Sequence, residues 1–262
     1  MKLSIQRTAA AGRWLAALAV VAAGLATGCS VVHPVTSPSG MENQIIKGER
    51  VSAQTRAQAA QQAVQQAAAP AASATPAAKH APAARHAPAQ TPLLPARGKV
   101  RGRQVTAIGD SVMAAGAIAL PTVLPGIYID ATPDRQMPAG LAVIRRLAQT
   151  GRLRPVVVVG LGTNYLVTTG QLNELLRLLG PHRKLVLINT YVPDPWSKQV
   201  NATEAAFVRK HPGVVLADWY DTIKNRLGLL WPDHIHPMIS GTKVYARLVY
   251  RAVQATRAAP RA

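Results

Sequence analysis

From Val105 onward the chain alternates two textures. Short apolar runs at 105–108, 127–131, 156–160, 185–189 and 214–218 read as five strands, the plainest of them VVVVG. Between them apolar residues recur at helical spacing around 112–120, 138–149, 171–179 and 197–210, and a last helical pattern covers 240–258. Strands that are apolar on both faces have no solvent side, and the intervening helices supply crossovers. The pattern therefore predicts a mainly parallel five-stranded sheet in a three-layer α/β/α sandwich. In such sheets a ligand sits beyond the carboxyl ends of the strands, so chemistry is sought in the loops that follow them.

The first hundred residues read differently. Lys2, Arg7 and Arg13 precede an apolar run over 14–26, shorter than the roughly 20 residues a membrane span needs, and small residues follow. Residues 1–28 are thus expected to be a secretion signal. Cys29, the single cysteine, follows LATG in a stretch that resembles a bacterial lipobox, which implies a lipidated Cys29 as mature N-terminus. By the same resemblance Ser30, in place of Asp, favours the periplasmic face of an outer membrane. An ordinary signal peptide that happens to contain a cysteine is the alternative. With that thiol lipidated no disulfide remains, and the folded part relies on its core.

Residues 29–98 are Ala, Gln and Pro with few large apolar side chains, a composition that does not offset the entropy of ordering, so a disordered tether is expected. Over 52–68 the Ala and Gln content favours partial helix on propensity alone. The prolines beyond, with KHAPA at Lys79 echoed as RHAPA at Arg85, mark a stiff extended segment. His80 and His86 in that segment could bind a metal weakly, although in a Pro-rich linker a metal site is not expected. The folded domain is expected over 99–262.

Formal charge is +19, and 21 Lys and Arg stand against 9 Asp and Glu from Lys99 onward. Such a surface attracts phospholipid headgroups, lipopolysaccharide phosphates or anionic polysaccharide. Nucleic acid, the other usual partner of a basic chain, is not expected behind an export signal.

Three stretches could carry chemistry. In VTAIGDSVM, Ser111 lies at the end of the first strand and the start of a helix, where it could cap the helix or serve as a nucleophile beside an amide that meets negative charge. In LWPDHIHPM, Asp233 and His236 are three residues apart, so on a turn the carboxylate can hold one ring nitrogen while the other faces outward. His234 between them would point elsewhere. In VVVVGLGTNYL, Asn164 follows the third strand and could donate its amide to an oxyanion, although Gly and Asn are common in any such turn. The combination matters, because all three fall on the expected ligand edge.

In that order these residues resemble the blocks of the SGNH, or GDSL, hydrolases: Gly109, Asp110 and Ser111; Gly162, Thr163 and Asn164; Asp233 and His236. The likeness spans about residues 104–252. It implies an SGNH-like, flavodoxin-like fold with Ser111 as nucleophile, His236 as base, Asp233 as its orienting acid, and Asn164 with the Ser111 amide as oxyanion hole. Closer still is the resemblance to the extracytoplasmic domain of peptidoglycan O-acetyltransferases, carried by VTAIGDSV, the Arg135–Gln136 pair, GLGTN, the Pro195–Trp196 pair and DWY at Asp218. Arg135 and Gln136 become candidate substrate contacts, with pairing of Arg135 to Asp134 or Asp130 as the alternative. Trp196 could stack on a sugar or pack on the sheet edge. The usual second-block glycine has no counterpart near Arg135, and Gly140 is expected inside a helix.

The resemblance implies an O-acyl, chiefly O-acetyl, esterase or acetyltransferase on an envelope glycan, with no metal or cofactor. A transferase would take its acetyl group from a separate membrane protein, since no multi-span segment is seen in this chain. The rival expectation is a non-catalytic envelope lipoprotein that binds a glycan or partner on the same scaffold.

Overall fold

A computed structural model describes residues 39–68 and 98–259. The signal stretch, Cys29 and the Pro-rich segment with His80 and His86 lie outside the described residues. Five strands, β1 (Val105–Gly109), β2 (Tyr128–Ala131), β3 (Val156–Gly160), β4 (Lys184–Ile188) and β5 (Val214–Ala217), form one parallel sheet in the order β2-β1-β3-β4-β5. Alternate strand residues feed opposite layers. Val156 and Val158 pack with α2 (Ser111–Gly116), α3 (Leu120–Val123) and α8 (Ile239–Ala255). Val157 and Val159 pack with α4 (Met137–Gln149), α5 (Thr169–Leu179) and α6 (Ser197–Lys210). A run of valines suits a strand buried on both sides because each branched side chain fills one of two cores. The three-layer sandwich expected from the pattern is the one found.

Boundaries shift where a side chain or turn takes over. β2 starts at Tyr128 because the Ile127 amide turns back to the Leu124 carbonyl at 3.0 Å. β5 ends at Ala217 because the Asp218 side chain accepts from the Asp221 amide at 2.9 Å and caps α7 (Trp219–Ile223). The single helix expected over 112–120 is two, with Pro121 in the first turn of α3, where its missing N–H costs nothing, rather than deep in one continuous helix.

The largest departure from expectation is α1 (Gly40–Ala68), 29 residues of helix inside the stretch read as a disordered tether. It opens on a capping box: the Ser39 amide donates to Glu42 Oε2 at 2.6 Å, and the Glu42 amide donates to Ser39 Oγ at 3.2 Å. Its buried positions Gln44, Gly48, Ser52 and Thr55 follow helical spacing. A Cβ on Gly48 would lie 1.7 Å from the Ala114 carbonyl oxygen, so only glycine lets α1 come down onto α2. Ser52 Oγ and Thr55 Oγ1 accept the Ala131 and Ile129 amides of β2 at 3.2 and 3.0 Å. β2 is an edge strand, and these hydroxyls satisfy amides that would otherwise be left open.

Ser52→Ala and Thr55→Val should therefore each lower unfolding free energy by about 1–3 kcal/mol, the cost of stranding a buried amide. Urea unfolding measures this, and unchanged midpoints would show that α1 does not close the sheet edge.

Candidate active site

Ser111 is the first residue of α2, directly beyond β1. The helix is capped by its neighbour: Asp110 Oδ1 accepts the Val112 amide at 3.0 Å. That leaves the Ser111 hydroxyl available, and it meets His236 Nε2 at 2.8 Å. On the far side of the ring, His236 Nδ1 meets Asp233 Oδ2 at 2.5 Å. With Nδ1–H donated to the carboxylate, Nε2 is the acceptor for the serine proton. Ser111, His236 and Asp233 are thus brought together in one chain of contacts, although Ser111 and His236 lie 125 residues apart.

The loop that carries the histidine is set by the same carboxylate. Asp233 Oδ1 accepts the amides of Ile235 and His236 at 3.0 and 3.1 Å. Burial alone would raise the Asp233 pKa, but the His236 ring bond, those two amides and the nearby imidazole outweigh it and hold the carboxyl below its ordinary value. Stability from this contact is present above the unfolded-state pKa and is lost as pH falls through the folded one. His234 stands exposed in the left-handed region (φ 56°) and faces away from this arrangement.

Asn164 arrives by a glycine turn. Gly162 has φ 131°, and a Cβ there would strike Val200 Cγ1 at 2.7 Å. The Trp196 indole N–H donates to the Gly162 carbonyl at 3.2 Å, and its ring lies 6.1 Å from that of Tyr165, which is 55% exposed. Asn164 Nδ2 donates to the Arg135 carbonyl at 3.4 Å, a long bond that an incoming oxyanion could replace.

Arg135 is not presented to a ligand. Its guanidinium donates to Asp130 Oδ1 at 2.7 Å, to the Asp130 carbonyl, and to the Gly109 carbonyl at 3.2 Å, with only 9% of the side chain exposed. The pairing alternative prevails: the charge is spent joining the ends of β1 and β2, and only the main-chain oxygen serves Asn164. Gln136 precedes α4, exposed, and makes no cap bond. Gly140 lies inside α4 with its amide given to the Gln136 carbonyl at 3.1 Å, so it offers no second oxyanion donor.

Sequence reasoning missed two groups. Asp110 is almost completely buried, and that burial pushes its carboxyl up to about 6 against the opposing pull of Thr163, the Val112 amide and His236. Its Oδ2 makes no hydrogen bond of good geometry, and the neighbouring Thr163 hydroxyl shares a hydrogen bond with Thr190 Oγ1 at 3.2 Å. Asp110 and the buried Tyr245 line one small cavity with Thr163, Asn189, Thr190 and Trp219. The other missed residue is Gln44 of α1, 5% exposed, whose Nε2 donates to the Pro237 carbonyl at 2.6 Å and whose Oε1 accepts the Trp231 indole N–H at 3.3 Å. Among the described residues no three His, Cys, Asp or Glu converge as metal ligands.

With fold and geometry in hand, the chain can be set beside known proteins. No family model matches. It is 30% identical over 152 residues to a Bacillus subtilis protein described as putative peptidoglycan O-acetyltransferase YrhL, covering 58% of this chain and 24% of that one. It is 31% identical over 146 residues to the peptidoglycan O-acetyltransferase OatA of Listeria monocytogenes, covering 56% and 23%. The chain thus spans about a quarter of the length of these curated relatives. The C-terminal catalytic domain of Streptococcus pneumoniae OatA, solved with a methylsulfonyl adduct, superposes with TM-score 0.53 at 24% identity over 63% of this chain and 98% of that one. The domain shares the fold of that catalytic domain.

The raised Asp110 pKa predicts a slope. Between the ordinary carboxyl value of 3.8 and about 6 the folded form binds more proton than the unfolded one, so stability falls as pH rises through that window. Asp110→Asn can still cap Val112 but lacks this slope, and its melting temperature relative to wild type should climb from pH 4 to pH 7. Parallel pH profiles would show that Asp110 ionises normally.

Proposed function

We propose that residues 98–259 either hydrolyse an O-acyl, chiefly O-acetyl, ester on a cell-envelope glycan such as peptidoglycan or transfer an acetyl group to such a glycan, in both cases through an acyl-Ser111 intermediate. The 2.8 and 2.5 Å contacts that run from Ser111 through His236 to Asp233 carry the reading. The relatives named as peptidoglycan O-acetyltransferases support the glycan and the acetyl group.

The serine oxygen attacks the ester carbonyl while its proton passes to His236 Nε2. The resulting oxyanion is met by the Ser111 amide at the free N-terminus of α2 and by Asn164 Nδ2, released from the Arg135 carbonyl. As the intermediate collapses, the C–O bond to the leaving alcohol breaks and His236 returns the proton to it. A second hydroxyl then gives its proton to His236 and takes the acyl group from Ser111. Water as second nucleophile makes an esterase, and a sugar hydroxyl makes an O-acetyltransferase. Asp233 holds Nδ1–H throughout and accepts no proton itself.

Localisation is part of the proposal: export, lipidation at Cys29, and residence on the periplasmic face of an outer membrane. The LATGC stretch supports lipidation, and no helix among the described residues is long and apolar enough to cross a membrane. An acetyl group made in the cytoplasm needs a carrier to reach an envelope domain, and a separate membrane protein fills that role.

Ser111→Ala and His236→Ala should each cut aryl-acetate turnover by about 10³-fold or more, and Asn164→Ala by about 10²-fold. Asp233→Ala should cost less, and His234→Ala should change little. Turnover that survives Ser111→Ala would end the acyl-serine reading. Assay with and without chito-oligosaccharide separates the two acceptors: acetylated sugar marks a transferase, and unchanged turnover without it marks an esterase. Cys29→Ser should release the protein from membranes or leave the signal uncleaved, and retained membrane association with no lipid mass would refute lipidation.

A further inference from the structure

We infer that Gln44 is a positioning residue for His236, and that α1, though it lies in a stretch composed like a linker, belongs to the catalytic machinery. The inference rests on reading Ser111 and His236 as the reacting pair.

His236 sits on an irregular loop between Leu230 and Pro237, where regular secondary structure does not fix its place. Bonds internal to the loop shape it: the Trp231 amide donates to the His236 carbonyl at 2.8 Å, the His234 amide to the Trp231 carbonyl at 2.9 Å, and Leu230 bridges Pro237. Such bonds set the form of the loop but not its place against α2, where the serine is. Gln44 supplies a fixed reference from outside. Its amide is both donor and acceptor, and it spends the donor on Pro237, the residue after the base, and the acceptor on the Trp231 side chain at the loop's other end. Few side chains offer both functions at one tip, and at 5% exposure water is a poor substitute.

The same helix face then touches the other half of the pair. One turn along from Gln44, Gly48 rests on the Ala114 carbonyl of α2, three residues past Ser111. Further turns dock Ser52 and Thr55 on β2, and Arg56 approaches Asp130 Oδ1 at 3.7 Å. Asp130 is the residue that Arg135 grips, and the Arg135 carbonyl holds Asn164. Nucleophile helix, base loop and the support of the oxyanion donor therefore lean on one rigid rod. A proton shuttle tolerates little slack, since a displacement near 1 Å costs on the order of 10²-fold in rate. Loss of Gln44 should thus lower acylation and deacylation together while leaving ester binding, which it does not touch, unchanged.

The test uses the full chain. Gln44→Met keeps volume and helix propensity but removes both bonds. Expected are a fall of about 10-fold or more in kcat for an aryl acetate, a KM within about twofold of wild type, and a shift of the downfield proton resonance of the His236–Asp233 bond. Gln254→Met, which removes the two bonds of Gln254 to the Val100 backbone near the end of α8, is the control for a merely structural role: it should lower the melting temperature without a matching fall in kcat. Gln44→Met with kcat within about twofold of wild type and an unmoved resonance would overturn the inference, as would a kcat loss that simply tracks melting temperature across both variants. If wild type neither turns over esters nor is labelled at Ser111 by a sulfonyl fluoride, the acyl-serine reading fails and this one with it. Turnover in wild type with Gln44→Met unaffected removes this inference alone.

Discussion

A hydrogen bond across 125 residues of sequence, from Ser111 to His236, is what the rest of the structure has to hold in place. It tolerates an error of only a few tenths of an ångström, while its partners come from elements that share no backbone bonding. The sheet does the coarse work. Parallel pairing sets the carboxyl ends of β1 and β3 level, Gly109 opposite Gly160, so Ser111 and the Gly162 turn leave the sheet at the same edge. The histidine loop does not grow from a strand end, and its place depends on contacts from the sides: Asp233 from within, Gln44 from α1.

That division explains what could be read in advance. The strands were legible because VVVVG and its neighbours are apolar on both faces, and the triad residues were legible because GDS, GTN and DHIH each sit at a strand end or turn with polar groups of matched function. Of α1 only the Ala/Gln-rich part over 52–68 was legible, on propensity; its docked face was not, because hydrophobic periodicity looks for an apolar stripe and the buried stripe here is Gln44, Gly48, Ser52 and Thr55. Its face bonds to an edge strand instead of filling a core, so small and hydroxyl-bearing residues are what the position requires. The local sign was the capping box of Ser39 and Glu42, eight or more residues ahead of the Ala/Gln-rich part that drew attention. The pairing of Arg135 was legible only as one of two alternatives, because sequence does not show that its guanidinium reaches the Gly109 and Asp130 carbonyls at the ends of two strands.

The polar groups beneath the site carry a cost that the fold accepts. Asp110 caps the nucleophile helix with one carboxylate oxygen and leaves the other without a good partner, in surroundings that push its pKa to about 6. A serine at that position would cap as well without a buried charge. With the Val112 amide satisfied by Asp110, the Ser111 hydroxyl is left to His236.

Under the proposed acyl-Ser111 chemistry, whether the acyl group goes to water or to sugar is a matter of what surrounds an open site. His236 and Asp233 keep 15% and 27% of their side chains exposed, so bulk water reaches the base in the resting protein. Burial of the triad alone therefore does not exclude hydrolysis. Selection for a sugar hydroxyl has to come from an acceptor that displaces water as it docks, and the exposed Tyr165, set against Trp196 one residue from Asn164, offers an aromatic surface where a sugar ring could do so. Trp196 is itself tied to the Gly162 carbonyl, in the turn that leads to Asn164. In that proposed chemistry, an acceptor docked there would displace water from the site, so that transfer follows occupancy of the acceptor and hydrolysis follows its absence.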